Sequence, residues 1–153
     1  MDLSALPAPT STLLWTAFVE VGDRIDLGPS RGGHRFKVPI LGGSFVGGPD
    51  HTALSGTVLG GGSDRQMLRP DGVRELCATY DMETEDGAVL ALVNRVTVDE
   101  SRSPERYAIS VFEVSAPDGP HAWLNRRVII GTLKSRRPEV DQVVIQAFLV
   151  DTM

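Results

Sequence analysis

The sequence predicts an all-β protein, a single antiparallel β-barrel of about eight strands with little or no helix. Three observations carry this. Turn signals recur at short, regular spacing, drawn from 16 glycines and 10 prolines in 153 residues, and such punctuation favours many short elements. The segments between them are roughly 5–15 residues long and rich in Val, Ile, Leu, Thr and aromatics, the composition of strands. No segment sustains apolar residues at i, i+3, i+4 and i+7 over ten positions, as an amphipathic helix requires.

The elements follow in chain order. One domain spans residues 1–153, with residues 1–10 as a loose N-terminal segment. The first strand covers residues 12–21 and continues toward Leu27. Turns are expected at residues 28–33, 42–43, 47–50, 60–63 and 70–72. The clearest hairpin joins residues 73–84 to residues 88–98 through Glu85, Asp86 and Gly87. Asp-Gly supplies the positive φ angles of a tight primed turn. A further turn falls at residues 101–104. A second hairpin runs from residues 106–115 through Pro117, Asp118, Gly119 and Pro120 to residues 123–133, and a turn at 136–138 leads to a last strand over residues 140–150. The best helical candidate, residues 71–80, is weakened by Gly72 and by the β-like run after it.

Several strands carry apolar residues on both faces. Leu90, Leu92, Val96 and Val98 alternate with Val89, Ala91 and Val93, and Val143, Ile145, Ala147 and Leu149 alternate with Val144, Phe148 and Val150. A solvated meander would alternate more cleanly. Two buried faces suit a closed barrel whose outside is also covered, so a homo-oligomer is expected.

Composition narrows the function classes. The net charge of −5 argues against nucleic acid as partner. One cysteine, Cys77, allows no intrachain disulfide or thiolate cluster. The longest apolar runs are too short to span a bilayer, and residues 1–9 lack a basic stretch and an apolar core, so a cytoplasmic location without membrane contact is expected. The histidines, His34, His51 and His121, have no ligand-like spacing. Each reads as solvated or singly hydrogen-bonded, and no metal and no cofactor are expected.

The most unusual local sequence is Gly60, Gly61, Gly62, Ser63, Asp64. It reads as a bulge or wide turn between strands, or as a loop that presents Asp64 as acid or base at a ligand's rim. It is no phosphate loop, since no Gly-Lys-Ser/Thr follows. Cys77, without an obvious base, reads as a small buried hydrophobe. Polar residues within apolar strands say more, because burying them unpaired costs roughly 1–3 kcal/mol. Asn94 interrupts one strand, Glu75 shares a face with Cys77 and Thr79, and Tyr107, Trp123 and Asn125 belong to the next hairpin. They either line a lumen with a few polar groups, as small-molecule sites do, or satisfy backbone groups at strand ends. The basic residues Arg126, Arg127, Lys134, Arg136 and Arg137 read as a solvated face.

Read in order, several runs resemble the family called domain of unknown function 3237. They are Gly33 to Phe45 (GHRFKVPILGGSF), Leu54 to Asp64 (LSGTVLGGGSD), Arg69 to Val73 (RPDGV), Asp86 to Ala88 (DGA) and Ala122 to Arg126 (AWLNR). The similarity extends from about Leu13 to Val150. It implies a small barrel of calycin-like shape and a small organic substrate. Where the family has Gly-Gly-Ala-Asp-Trp, this chain ends the motif in Asp64 and Arg65, so a cation replaces an aromatic wall. The family's usual acid and arginine after the Asp-Gly turn correspond here to Cys77 and Thr79. Its Phe-Arg-Thr stretch becomes Arg106, Tyr107 and Ala108, while Asp64, Trp123 and Asn125 remain.

Three functions stay open. The first is a cofactor-free cyclase or isomerase for a small hydrophobic carbonyl compound. Asp64 would be general acid or base, and Arg65 or Tyr107 would stabilise an oxyanion. Trp123, Asn125, Cys77, Thr79, Glu75 and Asn94 would bind the ligand. That role predicts a raised pKa for Asp64. The second is a lipocalin-like carrier or sensor of an apolar ligand, and the third is an interaction subunit with a filled barrel.

Overall fold

The structure, a computed structural model, describes residues 1–101 and 105–153. Among them run ten strands: β1 (Pro9–Val21), β2 (Ile25–Ser30), β3 (Gly33–Gly47), β4 (Gly56–Val58), β5 (Gly62–Leu68), β6 (Arg74–Thr84), β7 (Val89–Asp99), β8 (Tyr107–Ser115), β9 (Val128–Ser135) and β10 (Gln142–Thr152). All pairings are antiparallel, in the order β1, β10, β9, β8, β7, β6, then β5 and β4, then β3. Pairing of β1 with β3 closes the ring. β4 and β5 lie in line between β3 and β6, and β2 extends the line of β1 along β3, so the ten strands make an eight-stranded closed barrel.

Local chemistry explains the staves. The β6–β7 hairpin turns at Gly87, whose φ of 90° is the left-handed value that Asp-Gly predicts. The triple glycine is the break between β4 and β5, and Gly61 takes φ 101° there. This is the bulge reading of that motif. It sets the register in which Ser63, Asp64 and Arg65 pair with Thr79, Ala78 and Cys77. A Cβ on Gly62 would lie 2.8 Å from the Cβ of Tyr80, so only glycine passes that point without displacing β6.

Four sequence expectations need correction. The turn expected at residues 42–43 lies inside β3, where Gly42 and Gly43 pair with Glu20 and Val19 of β1. The first strand starts at Pro9, three residues early, because Pro9 and Thr10 pair with Thr152 and Asp151 of β10. Residues 25–30, expected partly as its continuation and partly as a turn, form the separate strand β2. Residues 123–126, expected in a strand, belong to a 3-10 turn, Ala122–Arg126, which buries Leu124 and carries the chain across the barrel end before β9. Of the turn expected at 101–104, residues 102–104 lie outside the described residues.

The two ends of the barrel differ. One is plugged by Trp15, Phe45, Leu54, Met82, Leu90 and Leu124, each no more than 2% exposed. There Trp15 meets Phe112 edge to face, with ring centroids 5.8 Å apart. Gly131 makes the room, since a Cβ on it would lie 2.6 Å from Phe112 Cε2. The other half is hollow. No helix among the described residues is long and apolar enough to cross a membrane.

Candidate ligand lumen

Alternation along each strand decides what faces inward. From β5 the inward side chains are Asp64 and Gln66, from β6 Arg74, Leu76, Ala78 and Tyr80, and from β7 Asn94 and Val96. With Val19 and Val21 of β1, Val38 and Ile40 of β3, Leu133 of β9, and Val143 and Ile145 of β10, they enclose about 310 Å³. That is the lower end of the size range of small-molecule sites.

The polar groups in this mostly apolar wall are placed by register. Asp64 pairs with Ala78, and Ala78 with Asn94, so the carboxyl and the amide flank one small residue. Gln66 Nε2 donates to Asp64 Oδ2 at 2.9 Å. Asp64 Oδ1, Asn94 Oδ1 and the Tyr80 hydroxyl are buried without any hydrogen-bond partner among the described residues. Burial pushes the Asp64 carboxyl above its ordinary range, against the lowering effect of the Gln66 hydrogen bond. Burial and the nearby Asp64 charge together push the Tyr80 phenol up. Unpaired buried polar atoms are expensive in a finished core; of the seven among the described residues five belong to residues lining this cavity, and the other two are Trp15 Nε1 and Ser110 Oγ.

The structure separates the residues that the sequence grouped. Asp64 and Asn94 share the lumen. Arg65, next to Asp64 on β5, points outward and is exposed, because consecutive strand residues face opposite sides. It sits on an outer groove with Cys77, Glu75 and Arg95. Glu75 is bound there by Arg69 Nη1 at 3.1 Å. Thr79 is exposed on the same outer face, and Tyr107, 43% exposed, opens β8 across from Asp99. Trp123 and Asn125 lie in the 3-10 turn at the plugged end. Trp123 stacks on His51 at 5.4 Å. Asn125 is a clamp: its Oδ1 accepts from the Ala116 amide at 2.7 Å, and its Nδ2 donates to the Ala116 carbonyl at 2.9 Å. Neither can reach the lumen.

Tyr80 and Gln66 were missed by the sequence reading: period two from Asp64 was the signal for Gln66, whereas Tyr80 follows only from the register that sets Ala78, two residues before it, opposite Asp64 and Asn94. Also missed were Arg24, Arg74 and Arg106 at the open end, and Arg137, expected on a solvated face, lines the lumen there with them. No group of three or more His, Cys, Asp or Glu side chains among the described residues is placed to hold a metal ion.

Residues 9–150 match the model of the family described as Protein of unknown function (DUF3237). A UPF0311 protein of Rhodopseudomonas palustris (strain TIE-1) is 30% identical over 159 residues, which cover 94% of this chain and 98% of that protein. The crystal structure of the conserved protein of unknown function RPA1785 from Rhodopseudomonas palustris superposes with a TM-score of 0.83 at 27% identity, over 95% of this chain and 100% of that one. A β-barrel-like protein from Acinetobacter baumannii gives a TM-score of 0.83 at 23% identity, over 95% of this chain and 98% of that one, and shows the shared fold.

Proposed function

The chain belongs to the DUF3237 family, and on that premise we propose that it binds a small, largely apolar molecule in the open half of the barrel and acts on it through Asp64. The observation that carries this reading is the set of unpartnered buried atoms, Asp64 Oδ1, Asn94 Oδ1 and Tyr80 Oη, around a cavity of about 310 Å³.

The chemistry that fits is redox-neutral proton transfer in a carbonyl compound. Ionised Asp64 takes the proton of a C–H bond beside the carbonyl, and that bond's electron pair enters an enolate. Hydrogen bonds from the Tyr80 hydroxyl and the Asn94 amide hold the oxyanion. In a β,γ-unsaturated carbonyl compound the enolate is a dienolate, and the same proton returns to its γ-carbon while the carbonyl re-forms and the C=C bond shifts into conjugation with it, which gives an isomer with no co-reactant consumed. Tyr80 and Asn94 replace Arg65 and Tyr107 in the oxyanion role, since those two face outward. A carboxyl raised by burial is the better matched base near neutral pH. Water exclusion by Val38, Ala78 and Ile145 supports both steps.

Two measurements test this. The neutral dye N-phenyl-1-naphthylamine should bind with a rise in fluorescence, and Ala78→Trp, which fills the lumen between Asp64 and Asn94, should abolish the rise. A wild-type protein that leaves the dye dark refutes the lumen. The carboxyl carbon of Asp64, followed by NMR, should titrate above the ordinary Asp value. An ordinary titration with the dye still bound leaves the carrier reading and removes proton transfer. The homo-oligomer expected from two-sided strands is proposed alongside and is read from the solution mass.

A further inference from the structure

Four arginines from separate stretches of the chain line the open end of the lumen. Arg24 follows β1, Arg74 begins β6, Arg106 precedes β8, and Arg137 sits in the β9–β10 turn. In a chain of net charge −5 this runs against composition. Asp64 is the one acid among the described lining residues, and it lies deeper.

The four are not equally engaged. Arg137 Nε approaches Asp141 Oδ1 at 3.2 Å, and its Nη2 donates to the carbonyls of Val21 and Gly22. Arg106 Nη1 lies 3.6 Å from Glu100 Oε1. Arg24 and Arg74 pair with no carboxylate among the described residues. Arg24 sits over the Phe36 ring, its Cζ 4.2 Å from the centroid. Arg74 Nε is buried and has no hydrogen-bond partner. A buried guanidinium donor without an acceptor is costly.

We propose that the guest is an anion: a compact two-ring molecule carrying a carboxylate at one end, held at the mouth by Arg74 and Arg24, with a polar group at the other end beside Asp64, Asn94 and Tyr80. This rests on the lumen being a ligand site, and it adds the ligand's class. A guanidinium presents a planar fork that matches a carboxylate with two parallel hydrogen bonds. Arg74 and Ala78 are four residues apart on β6, about 13 Å along a strand, and Ala78 is the cross-strand partner of both Asp64 and Asn94. The arginines and the polar group therefore stand at the two ends of an apolar passage walled by Leu76 and Val96.

The test compares 6-hydroxy-2-naphthoate with its neutral amide by fluorescence titration. Wild-type protein should bind the carboxylate about tenfold or more tightly, the value of one charge-assisted hydrogen-bonded contact. In the double variant Arg24→Gln with Arg74→Gln the two compounds should bind alike, with amide affinity and binding of N-phenyl-1-naphthylamine retained as evidence that the barrel is intact. Equal binding of carboxylate and amide by wild-type protein overturns the proposal while leaving the lumen in place, provided the neutral dye binds. A preference that survives in the double variant also overturns it. If wild-type protein takes up neither the naphthalenes nor the dye, the proposal and the lumen reading fall together.

Discussion

Replacing Asp64 by Asn removes a charge from a place where the fold does not welcome one. In the native barrel Asp64 Oδ2 has one donor, Gln66 Nε2, and Oδ1 has none. Val38 faces it from β3, Ala78 and Tyr80 from β6, and Asn94 from β7. Of these Tyr80 alone titrates, and its own upward shift keeps it neutral throughout the acid and neutral range. The Asp64 carboxyl is pushed up by burial, so the folded state holds its proton more tightly than the unfolded state does. The sign follows: above the folded pKa the ionised group opposes folding, and this cost is relieved as pH falls toward the ordinary Asp value near 3.9. Leaving a buried acceptor unpaired costs about 1–3 kcal/mol. Asn keeps the shape and the Gln66 contact but leaves an unpaired neutral amide, so part of that cost persists. The net gain at pH 7.5 is then about 1–2 kcal/mol, roughly 2–8 °C in melting temperature at this chain length. Urea unfolding of both proteins at pH 7.5 and pH 4 reads it out. A variant less stable than wild type at pH 7.5, or one whose gain is the same at both pH values, would refute this account. The same substitution should end proton transfer, so the inactive protein is the more stable one.

Two further outcomes follow from packing. Gly131→Ala drives a methyl group into Phe112 and the Ser110 hydroxyl. It should cost about 1–3 kcal/mol by overpacking, seen as a lower urea midpoint; an unchanged midpoint would mean that the plugged end is loose. Asn125→Ala removes both hydrogen bonds to Ala116 and should cost about 1–3 kcal/mol. Its dye affinity should match wild type, and a loss of dye binding would place Asn125 in the ligand site after all.

The hairpin at Asp86 and Gly87 and the β-rich runs were legible because backbone preference is written locally. So was the all-β class, and the resemblance to DUF3237 fixed the family. The site was legible only in part. Strand alternation says that Asp64 and Arg65 face opposite ways, but not which way is in. That choice is made where β4 breaks into β5 and β3 closes on β1, contacts distant in sequence. The same choice sent Cys77 and Thr79 outside and Ala78 and Tyr80 inside. Asn125 was read as a lumen group because residues 123–126 were taken for strand; its side chain closes a loop instead. Arg24, Arg74, Arg106 and Arg137 are spread over more than a hundred positions, and only barrel closure gathers them.

The plugged end and the hollow end divide the molecule's obligations. Trp15, Phe45, Met82, Leu90 and Phe112 hold the staves together at one end, while at the other Arg24, Arg106 and Arg137 arrive on loops and Arg74 at the very start of β6. Changes in those loops need not be negotiated with the packed half. A lineage that exchanges one loop can therefore acquire a new guest in a single step without passing through an unfolded ancestor, and a library confined to those loops should keep its barrels while varying what they hold.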